Sequence, residues 1–415
     1  MMKIVYPICC GVDVHKRMLV ATIASTDSNN MTMYTTETFL TSNSELEQFR
    51  NWLISNQCFH VCMESTGKYW IPVFNILEKD IHVILTHPKY VRAIKGKKTD
   101  KKDSKWIADL FKFDMVRSSF IPPAEVRAMR EIARYRFKLI CMRSSERNRY
   151  QNSMTISNIS LANILSDPFG KTSTLIMDYI LSSDTFNEDY CRSLIQKSAK
   201  KKTDLILDSL NGFKIQSDQH LKMKVAKAHM DYLDQKIIAT ETELFTRVHP
   251  HYPLVQHLAE IPGITELSAA LILAEIGVDM TVFEDAKHLT SWAGLTPANN
   301  ESAGKKKSVR ISKAGQYIKP LLVQCALAAT KSAKEPYFAS KYLNLKKHRG
   351  HKKAIIAIAR MMLVCIYHMI LTGETFNPSD YEELQNPKPA RQEMTVSNAL
   401  AFLEAQGFDI SKLVV

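Results

Sequence analysis

The first part of the chain alternates between short apolar runs and amphipathic helical patterns. The runs repeat every two residues and are rich in β-branched side chains, which is typical of strands, whereas Leu46, Phe49 and Leu53 recur at helical spacing. The predicted elements are two strands within 3–25, a strand at 31–39, a helix at 42–56, a strand at 59–64, a helix at 69–79 and a strand at 81–86. This order predicts an α/β domain whose mixed sheet opens with an antiparallel meander.

Beyond this sheet the pattern is helical. The predicted helices lie near 103–111, 124–151, 221–248, 266–275, 317–330 and 354–371. The segment 171–215 is only weakly patterned, and the sparse apolar positions of 221–248 indicate a coiled-coil arm or spacer. We therefore predict four parts: an α/β domain at 1–120, a helical linker at 121–250, a mainly helical domain at 251–373 and a tail at 374–415.

The net charge restricts the possible functions of the protein more than its hydrophobic content does. The 415 residues are 45% hydrophobic, which is ordinary for a globular protein, but the formal net charge is +13. This excess favours a polyanionic partner, nucleic acid before a membrane surface. Eight cysteines without a CxxC pair predict reduced thiols in the cytoplasm. No uninterrupted apolar run has the length of a membrane span, about 20 residues, and residues 1–8 do not resemble a signal peptide.

A second pattern that suggests nucleic-acid contact lies at 258–265. A helical pattern, the pair Pro262 and Gly263, and a second apolar helix follow one another, as in a helix-hairpin-helix motif. In that motif the hairpin N–H groups and the next helix N-terminus can hold a phosphate without reading sequence. The alternative is a plain helical turn in which Gly263 serves only as a cap.

Four carboxylates occur where a structural role alone explains them poorly. Asp13 interrupts an apolar strand, where a buried carboxylate is costly unless a cation neutralises it. Glu64 ends the fourth strand, and Asp100 and Asp103 are spaced to face the same way on a helix. A ribonuclease-H-like sheet would place the first and fourth strands side by side with the last helix next to them. The four oxygen donors would then meet at one edge, where they suit one or two Mg²⁺ ions.

Three of the four carboxylates have a simpler explanation when taken alone, whereas Asp13 is harder to dismiss because it interrupts a strand. Asp100 and Asp103 could cap a helix N-terminus, and Glu64 could be a surface residue. Basic side chains lie beside these acids and again in the C-terminal half, and such clusters neutralise phosphates. The predicted nucleic-acid contacts are Lys97, Lys98, Lys101, Lys102, Lys105, Lys305, Lys306, Lys307, Arg310 and Lys313.

The ordered set of motifs resembles the DEDD insertion-sequence transposases, relatives of the pilin-gene invertase. The N-terminal motifs are 11–16, 64–67 and 98–104, and the C-terminal motifs are 261–264, 293–297, 301–302 and 312–315. The resemblance covers about 1–150 and 250–373. Each motif is unspecific alone, but their order along the chain is highly specific.

The resemblance implies a concrete chemistry. The N-terminal domain would be similar to Holliday-junction resolvases, with Asp13, Glu64, Asp100 and Asp103 binding Mg²⁺, and the C-terminal domain would carry a serine nucleophile, Ser302. The family recombines DNA guided by a structured bridge RNA. It works as tetramers in which the carboxylate domain of one protomer meets the serine domain of another.

Alternatives stay open at this point. Ser308 and Ser312 compete with Ser302, because Ala303, Gly304 and three lysines follow it where the family usually has a hydroxyl-rich stretch. A resolvase-like nuclease could use the same carboxylates with water, and a non-catalytic nucleic-acid-binding protein could keep the same fold. For all three functions the expected location is the cytoplasm, at the nucleoid of a prokaryote.

Overall fold

The structure is a computed structural model that divides into two compact units, residues 1–123 and 124–415. It describes residues 3–65, 67–88, 91, 99–183, 185–297, 300–302, 305–308, 310–332, 336–378, 380 and 403–407, with 300–302 and 305–308 described as backbone only. Most of the predicted tail, and Lys97 and Lys98 of the predicted nucleic-acid contacts, lie outside these residues. The division into four parts stays a prediction.

Unit 1 is a mixed five-stranded sheet with helices on both faces. Its elements are β1 (Ile8–Val14), β2 (Met18–Thr26), β3 (Thr32–Leu40), α1 (Asn43–Ser55), β4 (His60–Glu64), α2 (Trp70–Leu77), β5 (His82–Thr86) and α3 (Asp100–Lys112). The strand order is β3-β2-β1-β4-β5. The first three strands are antiparallel, and β4 lies parallel to both β1 and β5. The predicted α/β organisation and the adjacency of the first and fourth strands are therefore present, while the ribonuclease-H-like assignment stays a prediction.

The sheet is buried on both faces because alternate residues of β1 serve two cores. Val12 and Val14 pack with Phe49 of α1 and Leu77 of α2 in the first core. Cys9 faces the other way and joins the core formed with α3. A strand covered on both sides is almost continuously apolar. Asp13 stands out in such a strand as its one carboxylate.

Unit 2 is helical apart from one hairpin. Its elements are α4 (Ala124–Ile156), α5 (Leu161–Ile164), α6 (Lys171–Ser182), α7 (Glu188–Leu194), α8 (Thr203–Asp208), α9 (Ser217–Val248), α10 (Tyr252–Ala259), α11 (Glu266–Ile276), α12 (Ala286–Trp292), β6 (Asn300–Ser302), β7 (Lys305–Ser308), α13 (Ile318–Ala329), α14 (Tyr337–Arg349) and α15 (His351–Thr372). The helical C-terminal part agrees with the prediction.

The two long helices α4 and α9 form an antiparallel pair. Arg136 pairs with Glu241 and Arg143 with Asp234, so positions advance along α4 as they recede along α9. Between the far ends of these helices, residues 159–215 pack against α4 and α9 in a separate core. This core includes Leu161, Ile176 and Ile206 together with Met154 and Met223. The weak apolar pattern of 171–215 did not indicate this core, because its helices are short and contribute few residues each.

Helix α15 is long and apolar enough to cross a membrane, judged by length and composition alone. Half of the most apolar stretch of this helix is buried inside the structure, where the helix packs on α12, α13 and α14. Burial of this kind is what a central core helix requires.

Candidate active site

Asp13 and Glu64 lie on the same face of the sheet at neighbouring strand ends. Val12 of β1 is paired with Met63 of the parallel strand β4, and Asp13 and Glu64 are each the next residue along. Parallel strands in register point corresponding side chains to one face. The two carboxylates therefore project together from the carboxyl ends of adjacent strands.

Helix α3 covers this same face because a glycine lets it approach. A Cβ on Gly11 would lie 2.2 Å from the carbonyl oxygen of Ser104 and 2.3 Å from the amide nitrogen of Ala108. The buried hydroxyls of Ser104 and Thr22 share a hydrogen bond of 2.7 Å, which fixes the helix against β2. Asp13 lies two residues beyond Gly11 and therefore on the same face of the sheet.

The N-terminal turn of α3 brings the other two carboxylates to the site. The helix begins at Asp100 after an extended Thr99, and Asp100 and Asp103 both lie in its first turn. No side-chain cap bond is formed by Thr99 there. The helix N-terminus favours negative charge, so the fold supports these two acids electrostatically. The simple capping explanation and the site explanation are thus compatible.

A histidine that the sequence reasoning left out of the site sits between two of the acids. Nε2 of His15 lies 3.3 Å from Oδ2 of Asp13 and 3.5 Å from Oδ2 of Asp100. The side chain of Asp13 is 14% exposed, whereas those of His15 and Asp100 are 45% and 47% exposed. The available signal was the Asp-x-His spacing, which places both residues on one side of an extended chain.

The electrostatics show that Asp13 feels the other three acids. Burial raises the pKa of Asp13, His15 lowers it, and the neighbouring carboxylates of Asp100, Glu64 and Asp103 raise it further. Like charges gathered in a partly buried place are unfavourable unless a cation joins them. The structure thus brings Asp13, His15 and Asp100 within ligand distance of one another, with Glu64 on the same sheet face and Asp103 on the same helical turn as Asp100. The predicted roles of the four carboxylates stay predictions.

The donor set fits a divalent cation. Ligand atoms of Asp13, His15 and Asp100 all lie within 4.8 Å of one another, which one ion with ordinary ligand distances can span. Carboxylate oxygens suit Mg²⁺ and Mn²⁺, and an imidazole nitrogen makes the set more favourable for Mn²⁺. The geometry thus supports a divalent metal site without selecting the ion.

The predicted serine lies in unit 2, in a short hairpin. Ser302 of β6 is paired with Lys305 of β7, and Glu301 with Lys306, next to the hairpin turn. Ser308 is paired with Asn300, towards the hairpin base. Ser312 lies beyond the hairpin, where its carbonyl accepts a 2.7 Å hydrogen bond from Nζ of Lys319.

Two glycines close the base of this hairpin. A Cβ on Gly315 would lie 2.0 Å from the carbonyl oxygen of Ala293, and one on Gly294 would lie 2.4 Å from that of Ala314. Pro297 and Ile311 form an isolated antiparallel bridge just above them. The motifs 293–297 and 312–315, which flank the hairpin in the chain, thus form one tight support for it.

Gly315→Ala is expected to destabilise the protein by several kcal/mol, since it combines strain at φ +69° with a backbone clash. The left-handed backbone costs about 1–2 kcal/mol for a residue with a Cβ, and overpacking adds about 1–3 kcal/mol. Gly373→Ala is the matched control, because φ is +73° there and nothing lies within 4 Å of the added carbon. Urea unfolding of both variants measures the difference, and equal losses would contradict the tight contact at Gly315.

The helix-hairpin-helix pattern is present as α10, a turn and α11. A Cβ on Gly263 would lie 2.4 Å from the carbonyl oxygen of Cys325, so the turn is packed against α13. The hydroxyl of Thr265 accepts from the amide of Ser268 and caps α11. Gly263 caps neither helix, because Glu260 is the C-cap of α10 and Thr265 the N-cap of α11. Phosphate contact by the turn stays a prediction.

The described basic residues among the predicted contacts are exposed. Lys101, Lys102 and Lys105 lie on α3, and Arg310 and Lys313 follow β7. Nζ of Lys105 lies 3.8 Å from the ring centroid of Tyr34. For Lys305, Lys306 and Lys307 the structure gives only the backbone, which lies in β7.

Comparisons with known proteins place both halves of the chain in one family. Residues 10–158 match the DEDD transposase domain of the IS110 type, and residues 255–343 match the transposase domain of the IS116/IS110/IS902 family. Together these matches cover more than half of the chain. The first includes all four carboxylates and the second includes the serine hairpin.

Individual relatives agree with this placement. The chain is 31% identical over 130 residues to the pilin gene-inverting protein of Moraxella bovis, covering 30% of this chain and 39% of that protein. It is 28% identical over 149 residues to the IS900 uncharacterized 42 kDa protein of Mycobacterium paratuberculosis, covering 35% and 37%. A longer match is 22% identical over 276 residues to a probable family 20 transposase of Pseudomonas aeruginosa. It covers 65% of this chain and 71% of that protein.

The chain thus spans little more than a third of the Moraxella and Mycobacterium proteins it matches. The two family matches nevertheless fall in the expected order, on the acidic sheet edge and on the serine hairpin. From these matches and that geometry, the chain belongs to the IS110-type DEDD insertion-sequence transposases.

Proposed function

We propose that the chain is the recombinase of an insertion sequence and cuts and rejoins DNA by phosphoryl transfer. The observation that carries the proposal is the meeting of Asp13, Glu64 and the first turn of α3 at one sheet edge. The members of the family are transposases, and the Moraxella relative is named for inverting a gene, so DNA is the expected substrate.

In this proposal Asp13, Glu64, Asp100 and Asp103 hold Mg²⁺. A bound divalent cation would neutralise the phosphate and stabilise charge that develops on the attacking and leaving oxygens. The acids are placed on rigid elements, a strand end and a helix seated against Gly11, so they can be held ready without rearrangement. His15, whose ring bridges Asp13 and Asp100, would orient these two carboxylates.

The nucleophile in this proposal is the hydroxyl of Ser302. A serine hydroxyl is a poor nucleophile at neutral pH and needs activation. The paired strand supplies three lysines, Lys305, Lys306 and Lys307, and Arg310 follows, so positive charge is available to offset the charge developing on a phosphate. Attack would form a serine–phosphate bond and release a DNA hydroxyl, which conserves the bond energy for rejoining.

The remaining parts of the proposal concern partners. A structured non-coding RNA would guide the choice of DNA, and the protein would act as a dimer or tetramer in which acids and serine come from different protomers. The net charge of +13 supports binding of two kinds of nucleic acid. The proposed location is the cytoplasm, at the nucleoid.

A metal-dependent nuclease that uses water is the second candidate. It is favoured by one observation, that unit 1 assembles the acidic cluster from its own residues. Such an enzyme would cut DNA without any covalent intermediate.

Trapping the intermediate separates the two functions. The protein is incubated with Mg²⁺ and a plasmid that carries the gene with its flanking DNA, then denatured and digested with trypsin and nuclease. Mass spectrometry is expected to find a nucleotide remnant on the peptide at Ser302. A remnant on Ser308 or Ser312 would move the nucleophile, and cleavage without any remnant would establish the nuclease instead.

A further inference from the structure

The connection between α14 and α15 carries a dense group of cations that no family match covers. We define the basic joint as residues 346–353, and the C-terminal match ends at residue 343. All eight residues of the joint are exposed. Its basic members are Lys346, Lys347, His348, Arg349, His351, Lys352 and Lys353.

No acid lies close to the joint along the sequence. The sequence from 336 to 373 contains no Asp or Glu. Within the described part of the chain, no carboxylate forms an ion pair with a cation of the joint. Exposed helices usually interleave both signs of charge, so a helix pair of a single sign indicates an anionic partner.

The placement of two lysines opposes helix electrostatics. Lys352 and Lys353 lie in the first turn of α15, where the helix dipole favours acids and disfavours cations. At the end of α14, by contrast, Lys346, Lys347 and Arg349 agree with the dipole. Cations that oppose the helix dipole without an evident stabilising gain usually mark a functional site.

The joint is held in place by the core beneath it. Gly350 turns the chain at φ +75°, and Ala354 and Ile355 are buried directly behind it. The hydroxyl of Tyr342 lies 2.8 Å from Nδ1 of His351 and ties the two helices together at the turn. The cations therefore stand on a fixed support, which lowers the entropic cost of binding.

We infer that the basic joint binds the phosphate backbone of a nucleic acid, independently of base sequence. Neighbouring lysines and an arginine at a helix end can contact successive phosphates. The free N–H groups of the first turn of α15 lie at the same end of the helix. The inference rests on the proposed function only in that the partner is a nucleic acid. DNA and RNA share this backbone, and the experiment distinguishes them.

The test uses the full chain carrying Lys352→Glu and Lys353→Glu. Acids at these positions agree with the helix dipole, so the variant is expected to unfold at the same temperature as the wild type or higher. Affinity for a labelled 40-base-pair duplex DNA and for a structured RNA is measured across a salt series. We expect a loss of about tenfold at low salt, and a salt slope smaller by about 1 to 2.

The control carries Lys222→Glu and Lys224→Glu on α9, two exposed lysines with the same change of charge. A control loss of less than twofold is expected. Loss on DNA alone or RNA alone identifies the polymer, and loss on both assigns the shared backbone. Equal losses in the two variants, or none at the joint, would overturn the inference.

Two further arms keep this test separate from the proposed catalysis. All binding is also measured in EDTA, where the proposed metal site takes no part, so a failure of the metal proposal leaves the binding result intact. Phosphatidylserine vesicles are included because α15 is apolar. Vesicle binding that depends on Lys352 and Lys353, with nucleic-acid binding unchanged, would assign the joint to a membrane and reject the inference.

Discussion

Asp13→Asn is expected to reduce DNA cleavage and strand joining by about a thousandfold or more, because it removes the central anionic ligand of the site. His15 bridges this side chain and Asp100, and Asp13 is the most buried of the three residues. Asparagine keeps the shape and removes only the charge. Loss of charge, and not loss of fold, is therefore the cause being tested.

The same variant should be more stable than the wild type when metal is absent. The folded-state pKa of Asp13 is raised, chiefly by burial, so the folded protein binds its proton more tightly than the unfolded chain. Stability then falls as pH rises through the window between the ordinary carboxyl pKa and the raised one. At neutral pH the charged form is disfavoured by folding, and the neutral asparagine avoids that penalty.

Thermal unfolding with EDTA and with Mg²⁺ measures both effects. In EDTA at pH 7 the melting temperature of Asp13→Asn should exceed that of the wild type, and the gap should close below the ordinary carboxyl pKa. Added Mg²⁺ should raise the melting temperature of the wild type but not that of Asp13→Asn. Glu37→Gln, an exposed carboxylate on β3, is the control and should respond to Mg²⁺ as the wild type does. A variant that still gains stability from Mg²⁺ would refute the site.

Ser302→Ala is expected to abolish the covalent protein–DNA adduct and strand joining, with a loss of about a thousandfold or more. Ser302 lies on a short hairpin strand, and the substitution removes a single hydroxyl from it. Stability should therefore change by less than about 0.5 kcal/mol.

Ser308→Ala and Ser312→Ala are the matched controls, since they remove a hydroxyl from the same segment. Both should retain the adduct on a denaturing gel. Full adduct formation by Ser302→Ala would exclude this serine, and adduct loss in one of the controls instead would identify its replacement. Continued nicking by Ser302→Ala, with no adduct in any protein, would favour the water-using nuclease.

Where the sequence pattern was strong, its local predictions hold. The strands of unit 1 and the long helices begin and end within a few residues of their predicted limits, because period and flanking breakers are local signals. The small core at 159–215 was missed, since short helices that bury few residues each have no clear period. His15 was named in its motif but not in the site, because its approach to Asp100 joins residues 85 positions apart.

The sequence by itself determined the α/β order of unit 1, the excess of positive charge and the identity of the four acids, since these depend on composition and on neighbours along the chain. Only the tertiary structure decided that β1 lies beside β4 and that Gly11 lets α3 come close enough to complete the acidic edge. Contacts of this kind depend on packing between residues far apart in the chain, which periodicity cannot encode.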